Sequence, residues 1–177
     1  MKENKNKSNL DFRVMSFFFK IRDKFNPPIE KIRKASIKKG DTVLDYGCGS
    51  GSYTIVGAEE IGPNGKIFAA DIHPLALNKV RKRAEKKSFN NIETIQTECY
   101  TGLNDESIDV VICFDVIHDT QNRNDILKEF HRVLKSKSIL SFDDHHMTED
   151  ETIDFITSEG IFELSEKKDK QYNFIKI

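Results

Sequence analysis

Short apolar runs alternate along this chain with segments in which apolar side chains recur every three or four residues. Runs rich in β-branched and aromatic residues predict buried strands, whereas the longer spacing predicts helices that bury one face. Seven strands are predicted in this way, at residues 42–44, 66–70, 92–97, 108–114, 139–142, 161–166 and 172–177. Within the strand predicted at 108–114, the run at 110–114 is continuously apolar, which is typical of a strand covered on both faces.

Helices are predicted between most of these strands and ahead of the first one. The periodic segments lie at residues 10–25, 29–36, 52–61, 76–84 and 126–134. A capping box, Thr148-x-x-Glu151, opens a last helix that Gly160 ends. Alternating strands and helices predict an α/β fold with a doubly wound, mostly parallel sheet and right-handed crossovers, in which the last two strands pair as a hairpin.

The polar start of the chain, residues 1–9, is predicted to be disordered, and residues 10–177 are predicted to form a single domain. Within that domain, residues 10–36 supply two N-terminal helices that are expected to form a lid or cap. The first of them, 10–25, holds five of the chain's 13 phenylalanines. Three roles stay open for this helix: a lid over a ligand cleft, a part of the core, and a dimer contact.

Charge and cysteine usage exclude some classes of protein. The chain carries 28 basic and 29 acidic side chains, so no bulk field attracts nucleic acid or an anionic membrane. A basic run at 79–87 permits an RNA-binding interpretation, but a solvated helix face is favoured because no aromatics interleave it. Three scattered cysteines indicate a reducing compartment without structural zinc. No segment has the pattern of a signal peptide or membrane span, so a cytoplasmic protein is expected.

The stretch between the first strand and the following helix carries the clearest chemical signal. Asp45 ends the apolar run, and Gly47, Gly49 and Gly51 follow at every second position. Glycine tolerates positive φ and lets a ligand approach the backbone, and the amides that open the next helix attract an anionic group. The spacing differs from the G-x-G-x-x-G of dinucleotide folds, and no Gly-Lys-Ser/Thr follows as in a P-loop. A tight glycine turn in an unrelated α/β protein is the alternative.

The Asp45-x-Gly47-x-Gly49-x-Gly51 pattern resembles motif I of the class I S-adenosylmethionine (SAM) dependent methyltransferases. The segment at 114–135, FDVIHDTQNRNDILKEFHRVLK, is similar to the helix after the fourth strand in methyltransferases of ubiquinone and menaquinone biosynthesis. The resemblance implies a seven-stranded sheet whose last strand runs antiparallel between the fifth and sixth. It also implies SAM as cofactor, with S-adenosylhomocysteine as the product.

By the same resemblance, cofactor contacts fall at the carboxyl ends of the predicted strands, where ligands of such sheets bind. Asp45 is expected to hold the ammonium of SAM, and Asp71 its ribose hydroxyls. Glu98 and the backbone amide of Cys99 are expected to meet the adenine. The other expected cofactor contacts are Gly47, Gly49, Gly51, Ile72 and Phe114. The alternatives are a helix cap for Asp71 and an ordinary loop carboxylate for Glu98.

Methyl transfer from a sulfonium mainly requires alignment and exclusion of water, and a base only where the acceptor must lose a proton. His118 is the first candidate for this base and Asp115 another, because the loop after the fourth strand faces the acceptor in the family. A turn-packing role for His118 is equally open. Further candidates are Asp119, Asp143, Asp144, His145 and His146. The last two are expected to point to opposite faces of a strand end, so no metal site is predicted.

The predicted function is transfer of a methyl group from SAM to a small, partly apolar acceptor, by a monomer or homodimer. Methylation of DNA is not indicated, since neither an Asn/Asp-Pro-Pro-Tyr motif after the fourth strand nor a Pro-Cys pair is present. Methylation of arsenic is disfavoured, because Cys48 lies in motif I and Cys99 at the adenine end. Two alternatives stay open: a methyltransferase acting on RNA or protein, and a SAM-binding regulatory protein without turnover.

Overall fold

The computed structural model describes residues 24–177, without the side chain of Asp119. The strands are β1 Thr42–Tyr46, β2 Lys66–Asp71, β3 Ile92–Gln96, β4 Ile108–Phe114, β5 Leu134–Asp143, β6 Phe162–Lys168 and β7 Gln171–Lys176. The helices are α1 Pro28–Lys34, α2 Ser52–Ile61, α3 Pro74–Lys86, α4 Arg123–Val133 and α5 Glu149–Thr157, with a 3₁₀ turn at Ile117–Asp119. None of the helices in the described part of the chain is long and apolar enough to cross a membrane.

One sheet joins all seven strands in the order β3-β2-β1-β4-β5-β7-β6. Strands β1 to β5 pair in parallel, whereas β7 runs antiparallel to both of its neighbours, β5 and β6. The predicted fold class is thereby confirmed, including the antiparallel last strand. Tyr46 at the end of β1 lies opposite Ala70 of β2 and Cys113 of β4, so these three strands end at the same level. The strand order reverses between β1 and β4, where ligands of such sheets bind.

Helices cover both faces of the sheet, and strand β4 shows this most clearly. Val111 and Cys113 belong to the core that α4 covers, whereas Val110 and Ile112 belong to the core that contains Ile32 of α1. All four β4 side chains are at most 2% exposed. The apolar run at 110–114 is therefore explained by burial, because neither face of this strand meets water.

Helix α1 is fixed to the sheet through the last strand. Gln171 Nε2 donates a hydrogen bond to the carbonyl oxygen of Lys31 at 2.9 Å, and Asn173 Nδ2 donates to that of Lys34 at 2.8 Å. These bonds serve carbonyl groups of the last helical turn, which an α-helix leaves short of partners. The second predicted N-terminal helix is thus confirmed. The predicted start at 1–9 and nearly all of the predicted helix at 10–25 lie outside the described residues, so the lid stays a prediction.

Strand β5 begins earlier than the sequence predicts. It starts at Leu134, which lies opposite Ile108 of β4, rather than at residue 139. The pairing register then shifts between Ile108 and Val110, and Lys137 adopts a φ of +61°. The polar residues at 135–138 gave no apolar pattern from which this extension could be predicted.

Buried Glu129 ties helix α4 to the loop after β3. Its carboxylate accepts hydrogen bonds from the amide and hydroxyl of Thr101, at 2.8 and 2.6 Å, and from the guanidinium of Arg132 at 2.8 Å. Burial works to raise the pKa of Glu129, but the bonds from Arg132 and Thr101 outweigh it, and the pKa lies below its usual value. The ionised carboxylate therefore anchors the loop that begins at the end of β3.

Glu129→Ala is expected to lower the free energy of unfolding by about 3 kcal/mol, because it leaves the buried donors of Thr101 without their acceptor and removes the charged partner of Arg132. Urea unfolding followed by circular dichroism at pH 7 measures this loss. Glu93→Ala is the matched control, since Glu93 pairs with Lys66 on the surface and such pairs contribute little. Equal losses in the two variants would contradict the anchoring role.

Candidate functional site

The turn after β1 is built on three glycines with a left-handed backbone. Gly47, Gly49 and Gly51 have φ angles of +74°, +53° and +79°, a region that residues with a Cβ rarely adopt. The amides of Gly47 and Cys48 donate to the Ala70 carbonyl oxygen at 2.8 and 3.0 Å, which ties the turn to β2. Gly51 is the N-cap of α2 and, having no side chain, gives the first turn no capping bond. The helix therefore presents its positive end towards the turn.

Two of these glycines are also required by packing within the protein. A Cβ on Gly47 would lie 2.2 Å from Cγ2 of Val116, and one on Gly51 would lie 2.8 Å from Cγ2 of Val80. Val116 belongs to the loop after β4, which therefore rests directly on the glycine turn. Close packing at Gly47 is a reason for glycine that adds to the predicted approach of a ligand.

The carboxylate of Asp71, at the end of β2, bridges the glycine turn and the start of α3. Its Oδ2 accepts a hydrogen bond from the amide of Gly49 at 2.8 Å, and its Oδ1 accepts one from the amide of His73 at 2.8 Å. The N-cap of α3 is His73 rather than Asp71, so Asp71 supports the cap residue through its amide and is not itself the helix cap. A carboxylate accepts about four hydrogen bonds, so these two are compatible with a ribose contact.

The side chain of Asp45 is buried, only 3% of the residue being exposed. It accepts a hydrogen bond from the hydroxyl of Thr54 in α2. Burial raises the pKa of Asp45 to about 7, while the bond from Thr54 opposes this rise and the charge of Asp71 adds to it. A nearby cation would favour the ionised form, which is the electrostatic condition for holding an ammonium group.

The loop after β3 is held by its own backbone and by β1. The hydroxyl of Tyr46 donates to the carbonyl oxygen of Glu98 at 3.0 Å, while the Glu98 side chain itself is exposed. The amide of Cys99 donates to the Thr97 hydroxyl oxygen at 3.1 Å. The amide that is predicted to meet an adenine ring is thus engaged within the loop, and an adenine contact would have to share or replace this bond.

Two large apolar side chains are exposed at this edge of the sheet. Ile72, directly after β2, is 41% exposed, and Tyr100, beyond the neighbouring strand β3, is 71% exposed. Exposed aromatic and aliphatic surface beside polar groups is what a planar, partly apolar ligand would cover. Ile72 was predicted as a cofactor contact, whereas Tyr100 was not.

Helix α1 contributes a cation to the opposite wall of the site. Lys31 Nζ lies 2.8 Å from the Asp143 carboxylate at the end of β5 and 4.9 Å from the ring centroid of Phe114. The ring of Phe114 packs edge-on against that of Tyr53, with centroids 5.0 Å apart. The end of β4 is therefore lined by two aromatic rings and one paired ammonium group.

Two carboxylates and three imidazoles meet beyond the ends of β4 and β5, and we call this group the His/Asp cluster. His118 Nδ1 lies 2.9 Å from the Asp144 carboxylate, and His145 Nδ1 lies 2.7 Å from Asp115 Oδ1. The ring of His146 lies between the other two, its centroid 4.0 Å from that of His118 and 3.9 Å from that of His145. Both predicted catalytic residues, Asp115 and His118, are therefore members of one cluster.

The expectation that His145 and His146 point to opposite faces is wrong. Strand β5 ends at Asp143, and the two histidines follow in a turn, where the alternation of a strand no longer applies. The amide of His145 donates to Asp115 and that of His146 to Asp144, each at 3.1 Å. These bonds fold the turn back over the strand ends and bring both rings to one side.

Asp115 is held in an unusual backbone conformation by its side chain. Its φ is +58°, which costs a residue with a Cβ about 1 kcal/mol or more. Burial works to raise the pKa of Asp115, but the hydrogen bond from His145 and the charge of Lys31 outweigh it, and the pKa lies below its usual value. An ionised Asp115 bonded to His145 is therefore the stable arrangement at neutral pH.

Comparison with known proteins identifies the family. The model of a family described as "Methyltransferase domain" matches residues 37–176. The chain is 31% identical over 102 residues to an arsenite methyltransferase of Halobacterium salinarum, an alignment that covers 57% of this chain and 26% of that protein. It is 28% identical over 109 residues to a demethylmenaquinone methyltransferase of Geobacillus stearothermophilus, covering 61% and 47%. The chain thus spans less than half the length of these curated relatives.

A solved structure agrees with this result at the level of the fold. A putative SAM-dependent methyltransferase of Methanococcus maripaludis superimposes with a TM-score of 0.80 at 18% identity, over 99% of this chain and 96% of that one. The fold is therefore that of the class I SAM-dependent methyltransferases. The chain belongs to the methyltransferase-domain family, whose cofactor is SAM, and the resemblance predicted from motif I is confirmed.

Asp45→Asn is expected to change how stability depends on pH. The ordinary aspartate pKa of about 3.9 lies below the folded value near 7, so the folded protein binds an extra proton between those pH values. The associated stability is fully present below about pH 4 and is lost as the pH rises towards 7. Between pH 4 and 8, wild type should therefore lose about 4 kcal/mol relative to the variant in urea unfolding. Parallel pH profiles for the two proteins would contradict the buried, protonatable Asp45.

Proposed function

We propose that this protein transfers the methyl group of SAM to a small, partly apolar acceptor bound beyond the ends of β4 and β5. The observation that carries the proposal is the packing of the loop after β4 on the glycine turn, through Val116 and Gly47. This packing brings the cofactor motif and the His/Asp cluster side by side. When bound, SAM supplies an electrophilic methyl group that a nucleophile takes by in-line displacement.

The residues on the cofactor side fit SAM. Asp71, held by two backbone amides, offers a fixed carboxylate to the ribose hydroxyls. Asp45 ionises to meet the ammonium, and the positive end of α2 meets the carboxylate of the methionine part. The adenine would lie against Ile72 and the exposed Tyr100, with Glu98 beside its amino group.

On the acceptor side, His118 is the proton acceptor for a substrate that must lose a proton. Its Nδ1 lies 2.9 Å from the fully buried carboxylate of Asp144. If the ring donates the Nδ1 proton to that carboxylate, Nε2 is the nitrogen that would accept the proton of the substrate. Asp115 is the weaker candidate, because its carboxylate is already bonded to His145. We therefore assign proton uptake to His118 and the positioning of the loop after β5 to Asp115.

Two features of the chain support a small organic acceptor over a nucleic acid or arsenic. Two cations of the basic segment at 79–87 are engaged with the protein: Arg83 donates to the Ser50 carbonyl oxygen, and Lys87 pairs with Glu59. The three cysteines are buried, and burial raises the pKa of each thiol, so none is a ready thiolate for a soft metalloid. The similarity to demethylmenaquinone methyltransferases agrees with a ring-shaped, partly apolar acceptor.

Asp71→Ala is expected to weaken SAM binding by about 1–3 kcal/mol, or roughly 5- to 150-fold in Kd, because a charged acceptor is lost. Isothermal titration calorimetry with SAM measures the effect. Asp169→Ala is the matched control, since Asp169 is an exposed aspartate that pairs with Lys34 at the surface. Unchanged SAM affinity in Asp71→Ala would remove this residue from the ribose contact, and a preference for NAD over SAM would overturn the proposed function.

His118→Ala is expected to lower kcat for a proton-releasing acceptor about 100-fold while leaving SAM affinity within twofold of wild type. Turnover is followed with methyl-labelled SAM and a panel of phenols, quinols, arsenite, RNA and protein. His131→Ala is the control, because His131 lies on α4 and packs against Phe162. Labelling of RNA or protein alone would favour a methyltransferase that acts on macromolecules. SAM binding without turnover on any member of the panel would favour a SAM-binding regulatory protein.

A further inference from the structure

The His/Asp cluster contains more ligand-forming groups than methyl transfer requires. The proposed reaction uses one base, His118, whereas the cluster brings together two carboxylates and three imidazoles. Asp115, Asp144 and His145 each offer one ligand atom, and these atoms lie within 4.8 Å of one another. Elsewhere in the described residues, no other group of three His, Cys, Asp or Glu side chains meets this condition.

The group is compact, and its upper bound of 4.8 Å is only slightly wider than the spacing of ligands around one ion. Atoms bound to a cation at about 2.0–2.2 Å lie roughly 3 Å apart when adjacent and roughly 4 Å apart when opposite. His145 Nδ1 and Asp115 Oδ1 are 2.7 Å apart, which suits adjacent positions. The His145 side chain is 60% exposed, so it can move to close the group on an ion without disturbing the core.

Burial and charge favour a cation at the same point. The Asp144 side chain is fully buried and that of Asp115 is only 21% exposed, so two carboxylates meet largely away from water. Such a pair of carboxylates is stabilised by positive charge. Lys31, the cation of α1, helps to lower the pKa of Asp115 through its charge, but its direct salt bridge is to Asp143, at 2.8 Å. A divalent ion would compensate both carboxylates at once.

The donor types indicate which class of ion fits. Calcium and magnesium prefer sites made of oxygen alone, whereas an imidazole beside carboxylates suits zinc, cobalt, manganese and similar ions. A thiolate-loving ion has no partner in the group, which contains no cysteine. The hydrogen bonds that the carboxylates receive from the amides of His145 and His146 fix their orientation, as the outer contacts of metal ligands do.

We propose that Asp115, Asp144 and His145 bind a divalent transition-metal cation of the zinc and cobalt class. The ion lies beyond the ends of β4 and β5, on the side where the acceptor binds. In that position it holds an oxygen atom of the acceptor, a consequence that rests on the proposed function. The binding of the ion itself does not depend on SAM or on turnover.

The test is a cobalt titration of the full chain, freed of any histidine tag and stripped with a chelator. Co²⁺ bound by nitrogen and oxygen ligands absorbs visible light, and zinc added afterwards should remove this absorption by competition. We expect one Co²⁺ per chain. His145→Ala and Asp115→Asn should each weaken Co²⁺ binding at least tenfold, whereas magnesium at millimolar concentration should not compete.

His131→Ala is the matched control, a histidine outside the cluster that should leave Co²⁺ affinity unchanged. Cooperative thermal unfolding of each variant without metal shows that it is folded. Two results would overturn the proposal: a wild-type Kd for both Co²⁺ and Zn²⁺ weaker than about 0.1 mM, or equal Co²⁺ affinity in His145→Ala and His131→Ala. Either result leaves the proposed function standing if SAM still binds, and loss of SAM binding alone leaves the metal site standing.

Discussion

The end of strand β2 determines the shape of the turn after β1, and the proposed cofactor half of the site depends on this constraint. The Ala70 carbonyl oxygen accepts two amides of the turn, and the Asp71 carboxylate accepts a third, that of Gly49. Three hydrogen bonds to the dipeptide Ala70-Asp71 leave the turn little conformational freedom. The turn adopts positive φ at its glycines, and this backbone conformation is the reason for glycine at those positions. The second oxygen of Asp71 then fixes the start of α3. A substitution at Asp71 would therefore act on two loops at once.

The proposed acceptor half of the site, the His/Asp cluster, is built on a different physical basis. Its frame is a backbone bond between neighbouring strand ends, from the Asp115 amide to the Asp143 carbonyl oxygen at 2.8 Å. Its contents are charged and titratable side chains that satisfy one another, Asp144 with His118 and Asp115 with His145. The glycine turn is therefore determined by backbone geometry, whereas the His/Asp cluster is determined by contacts between side chains. The packing of Val116 on Gly47 is the contact that couples the two.

This difference explains how much the sequence could predict. The glycine turn could be predicted because its positive φ angles permit few residues other than glycine, and the sheet could be predicted from seven strand-like runs. The cofactor roles of Asp45 and Asp71 stay predictions. The prediction that the side chains of His145 and His146 point to opposite faces was wrong, because β5 ends at Asp143 and the two residues lie in the turn that follows. Lys31 carried no signal, since its partner Asp143 lies far away in the sequence and only the docking of α1 on β7 brings them together. The Thr54 bond to Asp45 is likewise visible only in the fold.

The relatives point to the part of the molecule that decides the acceptor. One is named for arsenite and another for demethylmenaquinone, yet both align with this chain over about 100 residues. A SAM-binding fold that such relatives share cannot by itself select between such different acceptors. We therefore expect the choice of acceptor to depend on residues outside the glycine turn. In this chain the thiols are buried and the strand ends instead present imidazoles, carboxylates and the Phe114–Tyr53 ring pair. Under the proposed function, that surface would suit an acceptor with an oxygen atom to hold and a flat apolar body to cover the rings.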